Sequence, residues 1–185
     1  TGIEEDLVEE YISKFHEKYP EIEVNIIRDS TGVISSKLMI EKDNPIADVV
    51  WGINSSNILF LGDTDLYKEY SPSNLNEYDE RYYDKKHSSP RWIGISMTTV
   101  AFTVNEKELM DRGLEVPYSY EDLLKDEYKG LIIMPNPLSS GTGYSIVSSL
   151  IQIMGEEKAW DYMDKLNKNI AQYTHSGSAP TKQTA

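Results

Sequence analysis

Apolar positions recur with helical spacing at the start of the chain and then alternate with polar positions. The helical set is Ile3, Leu7, Val8, Tyr11, Ile12 and Phe15. Because residues three or four positions apart share one face of a helix, this set predicts an amphipathic helix, which Pro20 ends. Beyond it, Ile22, Val24 and Ile26 alternate with polar residues, and a period of two predicts a strand.

The same succession of helix and strand is repeated in the next segment. A second helix is predicted from about Thr31 to Asp43, with Pro45 after it, and Ala47–Trp51 forms a short, mostly apolar strand. A helical connection of about 20 residues between two strands has the length that a right-handed parallel crossover needs. The fold class is therefore predicted to be α/β.

The remaining chain predicts further elements, several with end signals of their own. Helices are predicted at 55–61, 105–113, 122–130, 141–154 and 156–167, strands at 92–97, 100–104, 131–134 and 169–173, and a polar loop with one short helical turn at 71–90. Asn105 has the position of a helix cap, and Ser119 and Asp122 have the spacing of a capping box. Ser178 precedes a last helix that starts at Ala179-Pro180.

Composition and charge narrow the class of function. The chain of 185 residues is 39% hydrophobic, which is enough to bury a core, and it holds no run of about 18 apolar residues that would span a membrane. The net charge of −13 argues against nucleic-acid binding, because neutralising phosphates requires clustered Lys and Arg. The absence of cysteine excludes disulfides, a thiolate nucleophile and a cysteine zinc site.

Three short turns rich in hydroxyl groups and glycine follow predicted strands and open predicted helices. Their members are Ser30, Thr31 and Gly32; Ser139, Ser140, Gly141, Thr142 and Gly143; and Ser176, Gly177 and Ser178. A helix N-terminus offers unpaired N–H groups and partial positive charge, glycine lets a ligand approach the backbone, and Ser or Thr adds a hydroxyl. Ligands of open α/β sheets collect at the carboxyl ends of the strands. The turns therefore predict a site for phosphate, phosphonate or carboxylate.

These residues also have a purely structural interpretation. Ser and Thr are common helix caps and glycine is a common turn residue, although residues 139–143 hold more hydroxyls and glycines than one cap requires. No Lys follows the glycines, so this is not a Walker loop. Trp51-Gly52 ends a predicted strand, where the Trp51 ring either stacks on a ligand or fills space between sheet and helix.

The sequence nominates no catalytic residue, no metal ligand and no cofactor. His16, His87 and His175 lie far apart along the chain, and only His175 adjoins a candidate turn. Tyr82-Tyr83 either packs within its loop or, as phenolate pairs do, binds ferric iron. No metalloprotease or serine-hydrolase motif occurs, so we expect a protein that is not an enzyme.

Four segments, in this order and spacing, resemble the solute-binding proteins of ABC importers, in particular the ferric-iron, phosphonate, sugar-phosphate and thiamine group. Asn44–Gly52 resembles that group's N-P-x-A-D-V-x-W-G segment, and Pro137–Tyr144 resembles its P-x-x-S-G-T-x-Y helix start. Met154–Trp160 and Ser176–Pro180 match as well. The likeness covers essentially the whole chain.

The resemblance implies a two-lobed, hinged α/β fold of the type 2 periplasmic-binding kind. It places a first lobe at 1–101 and a second lobe at 105–185, with 100–105 as the strand that crosses the hinge. Ser30, Thr31, Trp51 and Gly52 would face the cleft from the first lobe, and Ser140–Gly143 with Ser176–Ser178 from the second. Complete members begin one strand earlier and continue beyond the last residue here, so we expect an incomplete chain that lacks some ligand-binding residues.

Together these observations predict the solute-binding component of an ABC importer. Its expected ligand is small, polar and anionic: a phosphonate, a phosphorylated compound or a ferric complex. A neutral or cationic ligand stays open, because the three turns contain no Lys or Arg. The expected partner is a membrane permease, the expected state a monomer, and the expected location extracytoplasmic, either periplasmic or lipid-anchored at the cell surface. The alternative is the ligand-sensing domain of a receptor or regulator.

Overall fold

The computed structural model of the chain describes residues 1–184. The chain folds as two compact units, Thr1–Thr98 and Thr99–Ala185, called the first and second unit below. Within the described residues, no helix is both long enough and apolar enough to cross a membrane.

The first unit is built from three α-helices and two short 3-10 turns. The helices are α1 (Glu5–Lys18), α2 (Thr31–Ile40) and α3 (Ser55–Gly62), and the 3-10 turns are Leu75–Glu77 and Glu80–Tyr82. The helices confirm the predicted helical spacing. Ile34, Leu38, Ile53 and Leu61 form the buried core, in which α2 packs against α3.

The strands predicted at 22–26, 47–51 and 92–97 are wrong as regular elements, since the first unit contains no strand ladder among its described residues. Tyr83 and Ile93 form an isolated antiparallel bridge, and Thr1 exchanges two backbone hydrogen bonds with Ile27 and Asp29. Alternation shows which side chains fit a pleated surface, but a strand also needs a neighbour to pair with. Without that neighbour the apolar side chains stay exposed, as Val49 does at 79%.

The second unit contains a parallel β-α-α-β crossover. Its elements are α4 (Glu106–Asp111), β1 (Ile132–Pro135), α5 (Gly141–Met154), α6 (Glu156–Leu166), β2 (Ile170–Thr174) and α7 (Ala179–Thr184). β1 pairs in parallel with β2, from Ile132 opposite Ile170 to Pro135 opposite Thr174. Leu123, Leu150, Ala159, Tyr162 and Leu166 form the core beneath them. These elements confirm the strands predicted at 131–134 and 169–173 and the helices predicted at 105–113, 141–154 and 156–167.

Both predicted helix-capping signals form, but only one of them opens an α-helix. Asn105 caps α4 as expected, because its side chain accepts a hydrogen bond from the backbone N–H of Glu108. The capping box also forms: Ser119 Oγ accepts from Asp122 N–H, and Asp122 Oδ2 accepts from Ser119 N–H. It opens only 3-10 turns, however, because Lys125 is extended and interrupts the helix predicted at 122–130.

The predicted strand at 100–104 is also wrong, because side-chain contacts hold this segment instead of a backbone ladder. The ring of Phe102 packs edge-on against Tyr120, with centroids 5.5 Å apart. Thr103 Oγ1 lies 3.3 Å from Thr181 Oγ1, and Asn105 Nδ2 donates to the carbonyl of Thr184. Residues 100–105 are thereby docked onto the rest of the second unit.

Candidate functional site

Parallel pairing of β1 and β2 places two helix starts at one edge of the second unit. Parallel strands have their carboxyl ends on the same side, and α5 follows β1 while α7 follows β2. The loops after the strands are joined where Asn136 N–H donates to the carbonyl of Thr174 at 2.8 Å. The predicted turns at 139–143 and 176–178, separate in sequence, therefore come together.

Direct contacts tie these two turns to each other. Ser139 Oγ donates to the carbonyl of His175 at 2.9 Å. Gly177 lies against the first turn of α5: a Cβ built on it would be 2.2 Å from Thr142 Oγ1 and 3.1 Å from Ser140 Oγ. This cluster of Ser139–Gly143 with Ser176–Ser178 is called the hydroxyl edge below.

The hydroxyls of this edge have different roles. Ser140 is only 3% exposed, and its Oγ accepts from Gly143 N–H at 3.3 Å. It is therefore a helix cap, as the structural interpretation proposed. Thr142 is exposed, and no hydrogen bond to its hydroxyl is found among the described residues. Thr142 is thus the most exposed hydroxyl residue of this edge, beside the positive end of α5.

The glycine at 143 is explained by packing. A Cβ there would lie 2.6 Å from the carbonyl oxygen of Pro135 and 2.8 Å from Asn136. Gly143 thus lets the start of α5 sit directly on the end of β1, where both Gly141 and Gly143 are buried. Their contribution is to bring the helix terminus to the edge of the strand pair.

A second, smaller cluster lies in the first unit at the start of α2. Ser30 occupies the cap position of α2 and Thr31 its first residue. A Cβ added to Gly2 would lie 2.9 Å from the carbonyl oxygen of Gly52 and 3.0 Å from Thr31 Oγ1. The predicted residues Thr31 and Gly52 therefore meet at Gly2, and Ser30 directly precedes Thr31.

Gly2 was missed by the sequence reasoning, although the signal for it is present. Gly2 and the threonine before it directly precede a predicted helix, and they combine a hydroxyl with a glycine as the three predicted turns do. Gly52 serves packing and backbone conformation: its φ is +66°, and the position of an added Cβ is filled by the Ile3 side chain at 2.2 Å. Glycine adopts this left-handed conformation without strain.

Trp51 makes the packing contact that its structural interpretation required. Its ring lies edge-on to Tyr11 of α1, with centroids 5.4 Å apart and planes at 76°. Such edge-to-face pairs stabilise folded proteins, and the Trp51 side chain is partly buried by this contact.

His87 and Tyr82 have structural partners. His87 Nδ1 lies 2.7 Å from Asp84 Oδ2, and the buried Asp84 also accepts from the backbone N–H groups of Lys86 and Arg91. Burial raises the pKa of Asp84, but these hydrogen bonds outweigh it and hold that pKa below its usual value. Tyr82 packs under the Arg81 guanidinium. Among residues 1–184, no group of three or more His, Cys, Asp or Glu has a metal-binding arrangement.

Chemically, both clusters present neutral donors at helix starts. α5 contributes a helix of 14 residues, and α2 one of 10 residues, each with the N–H groups of its first turn lacking helical partners. Their sequence positions contain no Lys or Arg. Such donors suit the oxygens of an anion, which the helix termini stabilise without a full countercharge.

Comparison with known proteins finds one matching family and several similar chains. Residues 44–185 match the family described as bacterial extracellular solute-binding protein. A curated protein of Haemophilus influenzae is 31% identical over 181 residues, 97% of this chain and 52% of that protein. A second, described as a probable ABC transporter periplasmic-binding protein of Sinorhizobium fredii, is 25% identical over 77% of this chain and 40% of its own length. The chain thus spans about half the length of the curated relatives it matches.

A solved structure shares the fold of this chain. The periplasmic binding protein AfuA from Actinobacillus pleuropneumoniae, with exogenous fructose 6-phosphate bound, superposes with a TM-score of 0.89 and 30% identity. The alignment covers 99% of this chain and 58% of that one.

Proposed function

The chain belongs to the bacterial extracellular solute-binding protein family, and from this membership we propose that it captures a small anionic solute for an ABC importer. It shares the family's α/β periplasmic-binding fold over about half the length of a solved member, so the resemblance expected from its motifs is confirmed. The proposed ligand is a phosphorylated small molecule, with phosphonates and ferric complexes as the other anionic candidates.

The hydroxyl edge carries this proposal. Two helix starts that are distant in sequence share the edge of one parallel strand pair, and the exposed residue Thr142 of the first lies against Gly177 before the second. An oxyanion at such a place accepts hydrogen bonds from backbone N–H groups and from a hydroxyl, and the helix termini favour its charge. The similar protein AfuA was solved with a sugar phosphate bound, which favours a phosphoryl group over the other anions.

We further propose the arrangement that the family resemblance implied. Residues 1–101 and 105–185 act as the two lobes, residues 100–105 connect them, and the ligand binds between them. Ser30, Thr31 and Gly52 then face the ligand from the first lobe. A ligand that contacts both lobes at once stabilises the closed form. The protein works outside the cytoplasm, as a monomer, and delivers its ligand to a membrane permease.

Ligand binding by the full-length protein tests this proposal. The probes are fructose 6-phosphate, 2-aminoethylphosphonate, inorganic phosphate, ferric citrate and thiamine, and the measurements are thermal unfolding and titration calorimetry. A ligand at 100 times its Kd stabilises the folded state by about 2.7 kcal/mol, which raises the Tm by a few degrees. We expect a phosphorylated or phosphonate probe to give this shift.

A matched pair of variants links binding to the hydroxyl edge. Thr142→Ala should weaken binding of the phosphorylated probe about tenfold, since one hydrogen bond to a charged group is lost. Ser13→Ala, which removes an exposed hydroxyl from α1, should leave the affinity unchanged. Binding of ferric citrate alone would contradict the phosphoryl assignment, and binding of no probe would favour a sensory domain.

A further inference from the structure

Gly177 approaches Thr142 more closely than any residue with a side chain can. A Cβ at position 177 would lie 2.2 Å from Thr142 Oγ1 and 2.7 Å from Thr142 Cβ. Real Cβ atoms essentially never lie within 3.0 Å of a heavy atom of a residue that is not their neighbour in the chain. The φ of Gly177 is outside the left-handed region, so its backbone conformation suits any residue. Space, and not conformation, therefore requires glycine at this position.

The loop that carries Gly177 is fixed on both sides of it. Ser139 Oγ donates to the carbonyl of His175 at 2.9 Å, and Thr174 Oγ1 donates to the carbonyl of Ser176 at 2.9 Å. These bonds anchor the loop to the start of α5 and to the end of β2. The backbone at 177 is thus a fixed wall against which the Thr142 side chain rests.

Thr142 depends on this wall for its orientation. Its χ1 has three staggered positions, and no hydrogen bond to its hydroxyl within the described residues selects one of them. The contact with Gly177 limits the space on one side of the Thr142 side chain, where Oγ1 and Cβ face the glycine. The absence of a side chain at Gly177 therefore leaves the space that the Thr142 hydroxyl occupies.

We propose that Gly177 is a positioning residue, which orients the Thr142 hydroxyl toward the bound anion by contact. This inference rests on the proposed function, in which Thr142 donates to the ligand. Gly177 has no side chain that could contact the ligand, so it affects the affinity only through the position of Thr142. A methyl group at position 177 would push Thr142 out of place and cost affinity without removing any donor.

A double-mutant cycle in the full-length protein tests the proposal, with fructose 6-phosphate as the probe in titration calorimetry. Gly177→Ala should lower the affinity about tenfold, as Thr142→Ala does, because the same hydrogen bond is lost. In a Thr142→Gly background, which removes both colliding atoms, adding Gly177→Ala should change the affinity less than twofold. The control is Gly62→Ala, where an added Cβ meets Tyr67 at an ordinary 3.9 Å.

The Thr142 methyl resonance gives a readout that does not depend on ligand. We expect Gly177→Ala, but not Gly62→Ala, to shift this resonance and the χ1-dependent coupling constants of Thr142 in the ligand-free protein. If wild type binds no probe while the resonance shifts, the proposed function fails and the positioning stands. An unshifted resonance, or an equal affinity loss in the Thr142→Gly background, overturns the positioning. If the collision prevents the single variant Gly177→Ala from folding, the double variant Thr142→Gly/Gly177→Ala, which does not have the collision, should still fold. If the double variant also fails to fold, the positioning role is overturned.

Discussion

The buried side chain of Asn169 donates to the carbonyl oxygens of both Leu123 and Lys125, at 2.8 and 2.9 Å. The Lys125 carbonyl also accepts from Tyr128 N–H at 3.1 Å, so the Asn169 side chain adds a second donor there and supplies one to the Leu123 carbonyl. The backbone carbonyl of Asn169 in turn accepts from Gly130 N–H at 2.9 Å. One residue before β2 thereby fixes the segment that leads into β1.

Replacing Asn169 should destabilise the second unit. Asn169→Ala removes the amide donor from the carbonyl of the buried Leu123, and an unsatisfied buried polar group costs about 1–3 kcal/mol. We expect a loss of about 1–3 kcal/mol in the free energy of unfolding, measured by urea denaturation. Gln172→Ala, which removes an exposed amide from β2, is the control and should change stability by less than about 0.5 kcal/mol. Equal losses for the two variants would contradict this role.

Ser140 and Thr142 should separate stability from binding. Ser140→Ala removes the cap of α5 and should cost about 1 kcal/mol of unfolding free energy. Thr142→Ala removes a hydroxyl that bonds to nothing in the described protein, so its unfolding free energy should change by less than about 0.5 kcal/mol. Urea denaturation without ligand makes the comparison. A larger stability loss for Thr142→Ala than for Ser140→Ala would show that the two hydroxyls are assigned the wrong way round.

Asp84 should make the first unit more stable near neutral pH than in acid. Its pKa is lowered in the folded state, so its carboxylate contributes stability that is fully present above the unfolded pKa of about 3.9. That contribution is lost as the pH falls through the lower folded value. Asp84→Asn should therefore cost about 1–2 kcal/mol at pH 7, through its weakened hydrogen bonds, and much less near pH 3.

Thermal unfolding of wild type and Asp84→Asn across this pH range provides the measurement. Asp126→Asn serves as the control, because that carboxylate is exposed on a 3-10 turn of the second unit. A difference between wild type and Asp84→Asn that stays constant down to pH 3 would rule out the carboxylate as its source.

Gly52 should tolerate alanine less well than a glycine of similar backbone conformation. At Gly113, with φ +70° and nothing within 4 Å of an added Cβ, alanine meets only backbone strain, about 1 kcal/mol. At Gly52, alanine also collides with the Ile3 side chain, and overpacking adds about 1–3 kcal/mol. Denaturant unfolding of Gly52→Ala and Gly113→Ala measures the two costs. Combining Gly52→Ala with Ile3→Ala should recover part of the loss, and equal losses for the two single variants would contradict the collision.

How far the sequence predicts this structure depends on how local each signal is. The helices were predictable because caps such as Asn105 and breakers such as Pro20 act on their immediate neighbours. The strand over 131–134 was predictable as well, since a partner for it lies in the same unit. The apolar alternation of Ile22, Val24 and Ile26 is just as clear, but pairing is not local, and the described residues offer no ladder there.

The candidate site was likewise predictable in part: its residues were selected from the sequence, but the role of each one was not. Composition alone selected the hydroxyl turns, and the structure brings Ser139–Gly143 together with Ser176–Ser178. Composition did not distinguish Ser140, which is consumed as a cap, from Thr142, which is exposed, because both carry the same chemical group. Nor did composition show why the two glycines are required. Gly177 is required for space and Gly52 for both space and backbone conformation, and these requirements depend on neighbours that are distant in sequence.

The parallel pairing of β1 with β2 also has a consequence for the order of folding. The contact between α5 and α6 closes a short loop, whereas Ile132 and Ile170 meet only after the whole helical hairpin between them is in place. Forming distant contacts is slower because more chain entropy is lost before they gain any energy. The helical hairpin should therefore form early and the strand pair late. A folding chain would have no hydroxyl edge until its second strand docks, so the site that we propose is completed only when β2 pairs with β1.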